Sequence, residues 1–316
     1  METDIDKLVA AARGGSRRAV ARLLSLVEND SPQVPEIAAA AADRSGPGDG
    51  SFSGSAMVVG LTGSPGVGKS TLTNALIGAW REKGLRVAVL AVDPSSPFSG
   101  GAILGDRVRM ADHALDEGVY IRSVATRGHL GGLAASTGAA VRLLEGLDFD
   151  VVVVETVGVG QAEVEIASLA DTTLLLLAPG MGDAIQAVKA GVVEIADVYV
   201  VNKADRPGAD ATVRDMRAMM SLVRREAGEW RQPIVKTVAE QSGGVEELVE
   251  EIGRHRSWLV DRDELASVRR RRAAAEIRAA VDDRLRRRYD VADDLAEQVA
   301  EGRLDVHSAV AKILQE

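Results

Sequence analysis

A lysine and a serine, side by side at the end of a glycine-rich run, are the first residues in this chain whose types and spacing point to chemistry. The run Gly63-Ser64-Pro65-Gly66-Val67-Gly68-Lys69-Ser70, with Thr71 after it, fits G-x-x-x-x-G-K-[ST]. Glycines at these places let backbone N–H groups turn inward around phosphate oxygens. A helix opening at the lysine adds the positive end of its dipole. Lys69 would reach the β and γ phosphates of a nucleotide, and the Ser70 hydroxyl would ligate Mg2+. The apolar stretch MVVGLT before the run and a helical pattern after it supply the strand–loop–helix context that the motif requires.

A second cluster, Asn202-Lys203-Ala204-Asp205, ends the apolar run DVYVV and fits N-K-x-D. The Asp205 carboxylate can accept from the ring imino N–H and the exocyclic amine of guanine together, and adenine offers no such donor pair. The Lys203 stem would pack along the base plane. Asn202 would tie this loop to the phosphate loop. The expected ligands are therefore GTP and GDP. Val238-Ala239-Glu240, after the last apolar run, stands where backbone would meet the guanine oxygen, although no serine begins this loop.

Three acids are candidates for the metal. Asp93 ends the run RVAVLAVD, Asp106 follows a glycine-rich segment, and Glu155 ends VVVVE. Mg2+ keeps several waters and takes one or two carboxylates directly, so some of the three would act through water. Asp93 also fits an Asp-Pro turn, and Asp106 also fits the N-cap of a helix RVRMADHAL. Lys69, Asp106 and Glu155 are the candidate catalytic residues. Glu155 and Gly158 form an E-x-x-G element in which bound γ-phosphate would draw the Gly158 N–H inward and order the loop. Two features are unusual: the acid is a glutamate, and the residue after the glycine is Val159, whose side chain cannot orient water. Gln161 could do so only if the loop refolds, so intrinsic hydrolysis should be slow until a partner or second subunit completes the site. The segment PGMGDAIQAVKAG at 179–191 carries Asp183, Gln186 and Lys189 on one polar face; it reads either as a capped, solvated helix start or as a further switch.

These residues need a scaffold that brings distant strand ends together. From Met57, continuous apolar runs alternate with helical patterns, which implies a mainly parallel sheet covered on both faces, an α/β class. Residues 3–28 carry Ile5, Leu8, Val9, Ala12, Val20, Leu23, Leu24 and Val27 at helical spacing, with Gly14-Gly15 as a break. Ser31-Pro32 predicts the start of a short Ala-rich helix running to about Asp43. The organisation expected is a helical segment over 1–44, a Gly/Ser-rich linker over 45–55, the nucleotide domain over 56–260, and helices over 261–316. Residues 269–288 hold nine arginines, with Ile277, Val281, Leu285 and Tyr289 on one stripe. That helix is a solvated amphipathic one, packs on a second subunit, or folds back on its own domain.

Bulk properties narrow the classes. Of the 316 residues, 46% are hydrophobic and only 3% aromatic, so Leu, Val, Ile and Ala must fill the core. The net charge of −9 disfavours nucleic acid as a partner of the whole molecule. With no cysteine, disulfides and thiolate metal sites are excluded. No stretch reaches ~18 apolar residues, so no membrane span is expected. The N-terminal residues METDIDKLVAAARGG lack a basic-then-apolar signal, and a cytoplasmic location is expected.

Taken together, GSPGVGKST, AVDPSSPFSGGAILGDRVRM, RGHLGGL at 127–133, VVVVETVGVGQAE, PGMGDAIQAVKAG and VNKAD resemble the MeaB/MMAA (ArgK-type) P-loop GTPases. The resemblance covers roughly residues 57–260 and, loosely, the helical ends. It implies a P-loop G domain of the SIMIBI type with N-terminal helices and a C-terminal dimerisation arm, hence a homodimer. It also implies GTP hydrolysis that gates adenosylcobalamin delivery to methylmalonyl-CoA mutase and protects that enzyme, with 180–191 as a third switch. No cobalamin site is identifiable in the chain itself. Nickel insertion, another activity of the superfamily, needs Cys/His ligands, and His113, His129, His255 and His307 are scattered. A nucleotide-binding scaffold that does not hydrolyse is the alternative that Val159 supports.

Overall fold

The computed structural model describes residues 4–42, 56–93, 113, 115–125, 135–156, 162–180, 195–221, 228–289 and 291–314. Seven strands form one sheet: β1 (Met57–Thr62), β2 (Val87–Asp93), β3 (Val119–Ala125), β4 (Val151–Glu155), β5 (Thr172–Leu177), β6 (Val198–Val201) and β7 (Ile234–Lys236). Their order is β3-β2-β4-β1-β5-β6-β7, and every described pairing is parallel. The expected α/β class with a parallel sheet is what forms.

The apolar runs are continuous because both faces of the sheet are covered. Side chains alternate across a strand. Val58, Leu90, Val152 and Val154 point into a core built with α1 (Ile5–Arg13), α2 (Arg17–Glu28), α3 (Val34–Ala42), α5 (Ala135–Gly146) and α6 (Ala162–Leu169). Their neighbours Val59, Leu61, Val89 and Val153 point the other way, against α4 (Lys69–Glu82) and α8 (Val245–Asp261). A further helix, α7 (Ala209–Met220), covers the β6 end through Val213 and Met216.

The N-terminal helices form where the sequence places them. Asp4 caps α1 and Ser16 caps α2, each side chain accepting from a backbone N–H three residues on. Gly14 and Gly15 separate the two helices, with Gly15 at a φ of 92°. The third helix starts at Val34 rather than at Pro32. Ser31 instead caps a turn, its hydroxyl accepting from Gln33 N–H at 3.3 Å and its carbonyl from Val34 N–H at 2.9 Å. Ile5, Val9, Leu23, Leu24 and Ile37 belong to the same core as β1, β2 and β4. Arg122 of β3 pairs with Glu28 of α2 at 2.6 Å, fastening the helices to the sheet's β3 side.

Beyond α8 the chain turns at Asp263, which has a φ of 57°, into α9 (Glu264–Arg288), α10 (Asp293–Ala300) and α11 (Val306–Leu314). The arginine-rich stretch divides in two. Arg272 is buried and reaches both carboxylate oxygens of Glu145 at 2.7 Å and Asp171 at 3.5 Å, and Arg269 reaches Asp171 at 3.6 Å. Burial pushes the Glu145 carboxyl up, and Arg272 works against that rise. This part of the helix folds back on its own domain. Further along, Ile277, Val281 and Leu285 are 64%, 49% and 48% exposed.

A buried polar cluster closes the amino-terminal edge of the sheet. His255 of α8 lies 2.9 Å from the Thr172 hydroxyl through Nδ1 and 3.4 Å from Asp197 Oδ1 through Nε2, and its ring packs on Trp230 and Trp258. Burial pushes His255 down to about 4 and Asp197 up to about 7. The unfolded chain takes a proton on this histidine near its ordinary 6.5, which the folded protein refuses until about 4. The stability that His255 contributes is thus full above pH 6.5 and is lost as the pH falls toward 4. Asp197 has the opposite slope, retaining its proton in the folded state as the pH rises toward 7. Urea unfolding of His255→Gln between pH 6.5 and 4 should therefore show the variant gaining on the wild type as the pH falls. The gain should be at most about 1.4 kcal/mol per pH unit.

Candidate nucleotide site

In a parallel sheet all carboxyl ends open on one edge, where ligands of α/β folds bind. Three of the predicted elements meet there. The glycine-rich run joins β1 to α4, which opens at Lys69. Lys69 is buried, and its ammonium donates to the Gly63 carbonyl at 2.7 Å and the Ser64 carbonyl at 3.2 Å. Ser64 is half-buried, Pro65 and Gly66 are exposed, Val67 is buried in the core with α4, and Thr71 is half-buried in that helix's first turn. Two glycines have no substitute. A Cβ on Gly63, at φ 141°, would stand 2.3 Å from the Leu176 carbonyl oxygen. A Cβ on Gly68, at φ 95°, would stand 2.5 Å from the Asn202 amide nitrogen.

That last contact marks a clamp. Asn202 follows β6 and is 2% exposed. Its amide nitrogen donates to the Val67 carbonyl at 2.9 Å. Its amide oxygen accepts from the Thr237 hydroxyl at 3.1 Å and from Ala239 N–H at 3.2 Å. One side chain thus joins the phosphate loop, the strand end at 202–205 and the loop after β7. Lys203, at φ 55°, donates from its ammonium to the Gly66 carbonyl at 2.6 Å and bridges the same two loops. Asp205 is exposed in the turn that follows. Val238 leads into a short 3-10 helix, Ala239–Gln241, that includes Glu240.

On the other side of β1, the register pairs Leu61 with Glu155. Glu155 is 2% exposed and accepts two hydroxyl bonds: Ser70 to Oε1 at 2.6 Å and Thr73 to Oε2 at 2.7 Å. Ser70 and Glu155 are therefore brought together. Asp93 is the last residue of β2, opposite Ala125 on the same edge. Asp106, Gly158, Val159, Gln161, Asp183, Gln186 and Lys189 lie outside the described residues. Sequence reasoning missed Thr73 and Thr237. Thr73 had a signal, since three residues after Ser70 it shares that residue's helix face. Thr237 had none, because its partner Asn202 is 35 residues away.

This fold and this loop define a P-loop nucleotide-binding protein. The family model described as "Methylmalonyl Co-A mutase-associated GTPase MeaB" matches residues 20–294, and the chain belongs to that family. A putative GTPase of Pyrococcus abyssi is 44% identical over 99% of this chain and 96% of its own. GTPase ArgK of Escherichia coli is 36% identical over 88% of this chain and 83% of its own. The Mus musculus protein "Methylmalonic aciduria type A homolog, mitochondrial" is 39% identical over 67% of this chain and 52% of its own. A solved structure of a LAO/AO transport system kinase is similar at a TM-score of 0.73 and 26% identity, covering 100% of this chain and 98% of that one. Among the described residues no helix is long and apolar enough to cross a membrane.

The Asn202 clamp can be tested on the protein without ligand. Asn202→Ala removes three buried hydrogen bonds and leaves their partners unsatisfied. It should cost about 2–4 kcal/mol in urea unfolding. A loss below about 0.5 kcal/mol would mean that the three loops hold one another without it.

Proposed function

We propose that this chain is a GTP-hydrolysing chaperone that gates adenosylcobalamin delivery to methylmalonyl-CoA mutase and protects that enzyme. The observation that carries the reading is the family match over residues 20–294, whose description associates its members with that mutase. The mouse relative's name, taken from methylmalonic aciduria, supports it. In this reading the backbone of Gly63, Ser64, Pro65, Gly66, Val67 and Gly68 cradles the phosphates, with Lys69, Ser70 and Thr71 at the helix start. Asp205 reads guanine, with Asn202, Lys203, Val238, Ala239 and Glu240 around it. The protein works in the cytoplasm.

Ser70 and Glu155 supply adjacent, buried oxygen ligands, the hard donor set that suits Mg2+. They would hold the ion together with Asp93 and Asp106, partly through water. An ion held there would supply positive charge against the negative charge that develops in phosphoryl transfer. Lys69 adds a second positive charge at the same place. Gly158, Gln161, Asp183, Gln186 and Lys189 respond to the γ-phosphate and to the partner. Because Val159 cannot orient water, turnover waits for the mutase. The exposed stripe of Ile277, Val281 and Leu285 supports a homodimer through the C-terminal arm. A monomeric mass in solution at micromolar concentration would refute that assembly. The second reading is a nucleotide-binding scaffold, for which Val159 is the ground, or a related P-loop GTPase serving another metalloenzyme.

Phosphate release separates these readings. Glu155→Ala should cut turnover by at least about a hundredfold, and Val159→Ala should change it by less than about threefold. Adding methylmalonyl-CoA mutase should stimulate the wild type. Similar losses in both variants would overturn the division of roles. A mutase that neither stimulates nor co-migrates would overturn the chaperone.

A further inference from the structure

Thr73 lies in the second turn of α4, is fully buried, and donates its hydroxyl proton across to β4 rather than along its own helix. Threonine within a helix commonly bonds back to the carbonyl four residues earlier and is a poor helix former there. Here the hydroxyl makes an interelement bond of 2.7 Å to Glu155 Oε2, while Ser70, one turn earlier, holds Oε1 at 2.6 Å. Two hydroxyls one helical turn apart thus grip the two oxygens of one carboxylate. The grip fixes the rotation of the carboxylate plane, which a single hydrogen bond would leave open. It also gives a reason for glutamate at this strand end. The carboxylate must reach α4 from the end of β4, and an aspartate, one methylene shorter, would hold its carboxylate further from both hydroxyls.

We propose that Thr73 is a positioning residue for GTP hydrolysis: its hydroxyl orients the Glu155 carboxylate so that the Ser70 hydroxyl is held as a proton donor to Glu155. A hydroxyl that donates its proton in this way keeps oxygen lone pairs with which to ligate Mg2+. Thr73 touches neither nucleotide nor metal and acts through Glu155. The proposal rests on the assignment of Ser70 and Glu155 to the Mg2+ site made above. Without the Thr73 hydroxyl, Glu155 keeps its charge in a buried place with one partner fewer, and it can turn away from Ser70 or draw its proton in another direction.

The test is the Mg2+ dependence of N-methylanthraniloyl-GDP binding, followed by fluorescence in the full-length chain, with thermal unfolding as a control. In Thr73→Val, which keeps the shape and removes the hydroxyl, the Mg2+ midpoint should rise about tenfold. Thr73→Ser should restore it to within about twofold, since only the hydroxyl matters. Glu155→Asp should raise the midpoint like Thr73→Val, and it serves in that variant's place if Thr73→Val does not fold. In a Glu155→Gln background, Thr73→Val should add no further shift, because the residue through which it acts has lost its charge. In turnover, Thr73→Val should lower kcat with little change in KM for GTP. A wild-type Mg2+ midpoint in Thr73→Val or in Glu155→Asp overturns the proposal, as does a full extra shift in the Glu155→Gln background. Wild-type binding that is indifferent to Mg2+ overturns the assignment of Ser70 and Glu155 itself, and the proposal with it.

Discussion

A sheet whose strands all run the same way delivers every strand end to one edge, and the rest of this molecule depends on that constraint. The phosphate loop leaves β1, Glu155 ends β4, and Asn202 follows β6. These segments are far apart in the chain, yet the parallel ladder sets them side by side. Placing β1 between β4 and β5 puts the loop at the middle of the edge, with an acid on one side and the Asn202 clamp beyond β5 on the other.

Parallel order requires crossover helices on both faces, and those helices require that both faces be apolar. The alternation of Val58 with Val59 and of Val152 with Val153 between two cores shows how a run of one residue type meets that need. The N-terminal helices take part in the same arrangement. They share a core with β1, β2 and β4, and Arg122 and Glu28 join them to β3. On that same side of the sheet, the first half of α9 is held by Arg269 and Arg272 on Glu145 and Asp171. A buried ion group of this kind adds little net stability over an apolar one, but it penalises any docking that leaves a charge unpaired. It therefore sets where α9 lies, and with it the direction of the stripe at Ile277, Val281 and Leu285.

At the site, short polar side chains do the joining. Asn202 connects three loops, Lys203 two of them, and Glu155 connects α4 to β4. Asn202 and Glu155, both buried, have a partner at each polar atom of the side chain, as a low-dielectric interior demands. The result is a set of loops held in shape by side chains anchored in the sheet and in α4, which suits a site that must present backbone N–H groups in a fixed pattern.

The sequence alone determined the fold class, the phosphate loop and the N-K-x-D turn, because each is a local pattern of residue types at fixed spacing. A continuous apolar run bounded by turns means a strand covered on both faces, and glycines before Lys-Ser mean a loop that no other residues can form. The break between the first two helices was also legible, because Gly14-Gly15 is a local signal. The helix start read at Ser31-Pro32 was a turn instead, because a hydroxyl beside proline caps a turn as readily as a helix. Only the tertiary structure decided which acid meets Ser70, that Thr73 shares it, and that Thr237 completes the Asn202 clamp. It also decided that the arginine-rich helix folds back over its first half. Those contacts join segments whose separation carries no period and no motif; they exist because the sheet order and register bring the segments within hydrogen-bond distance.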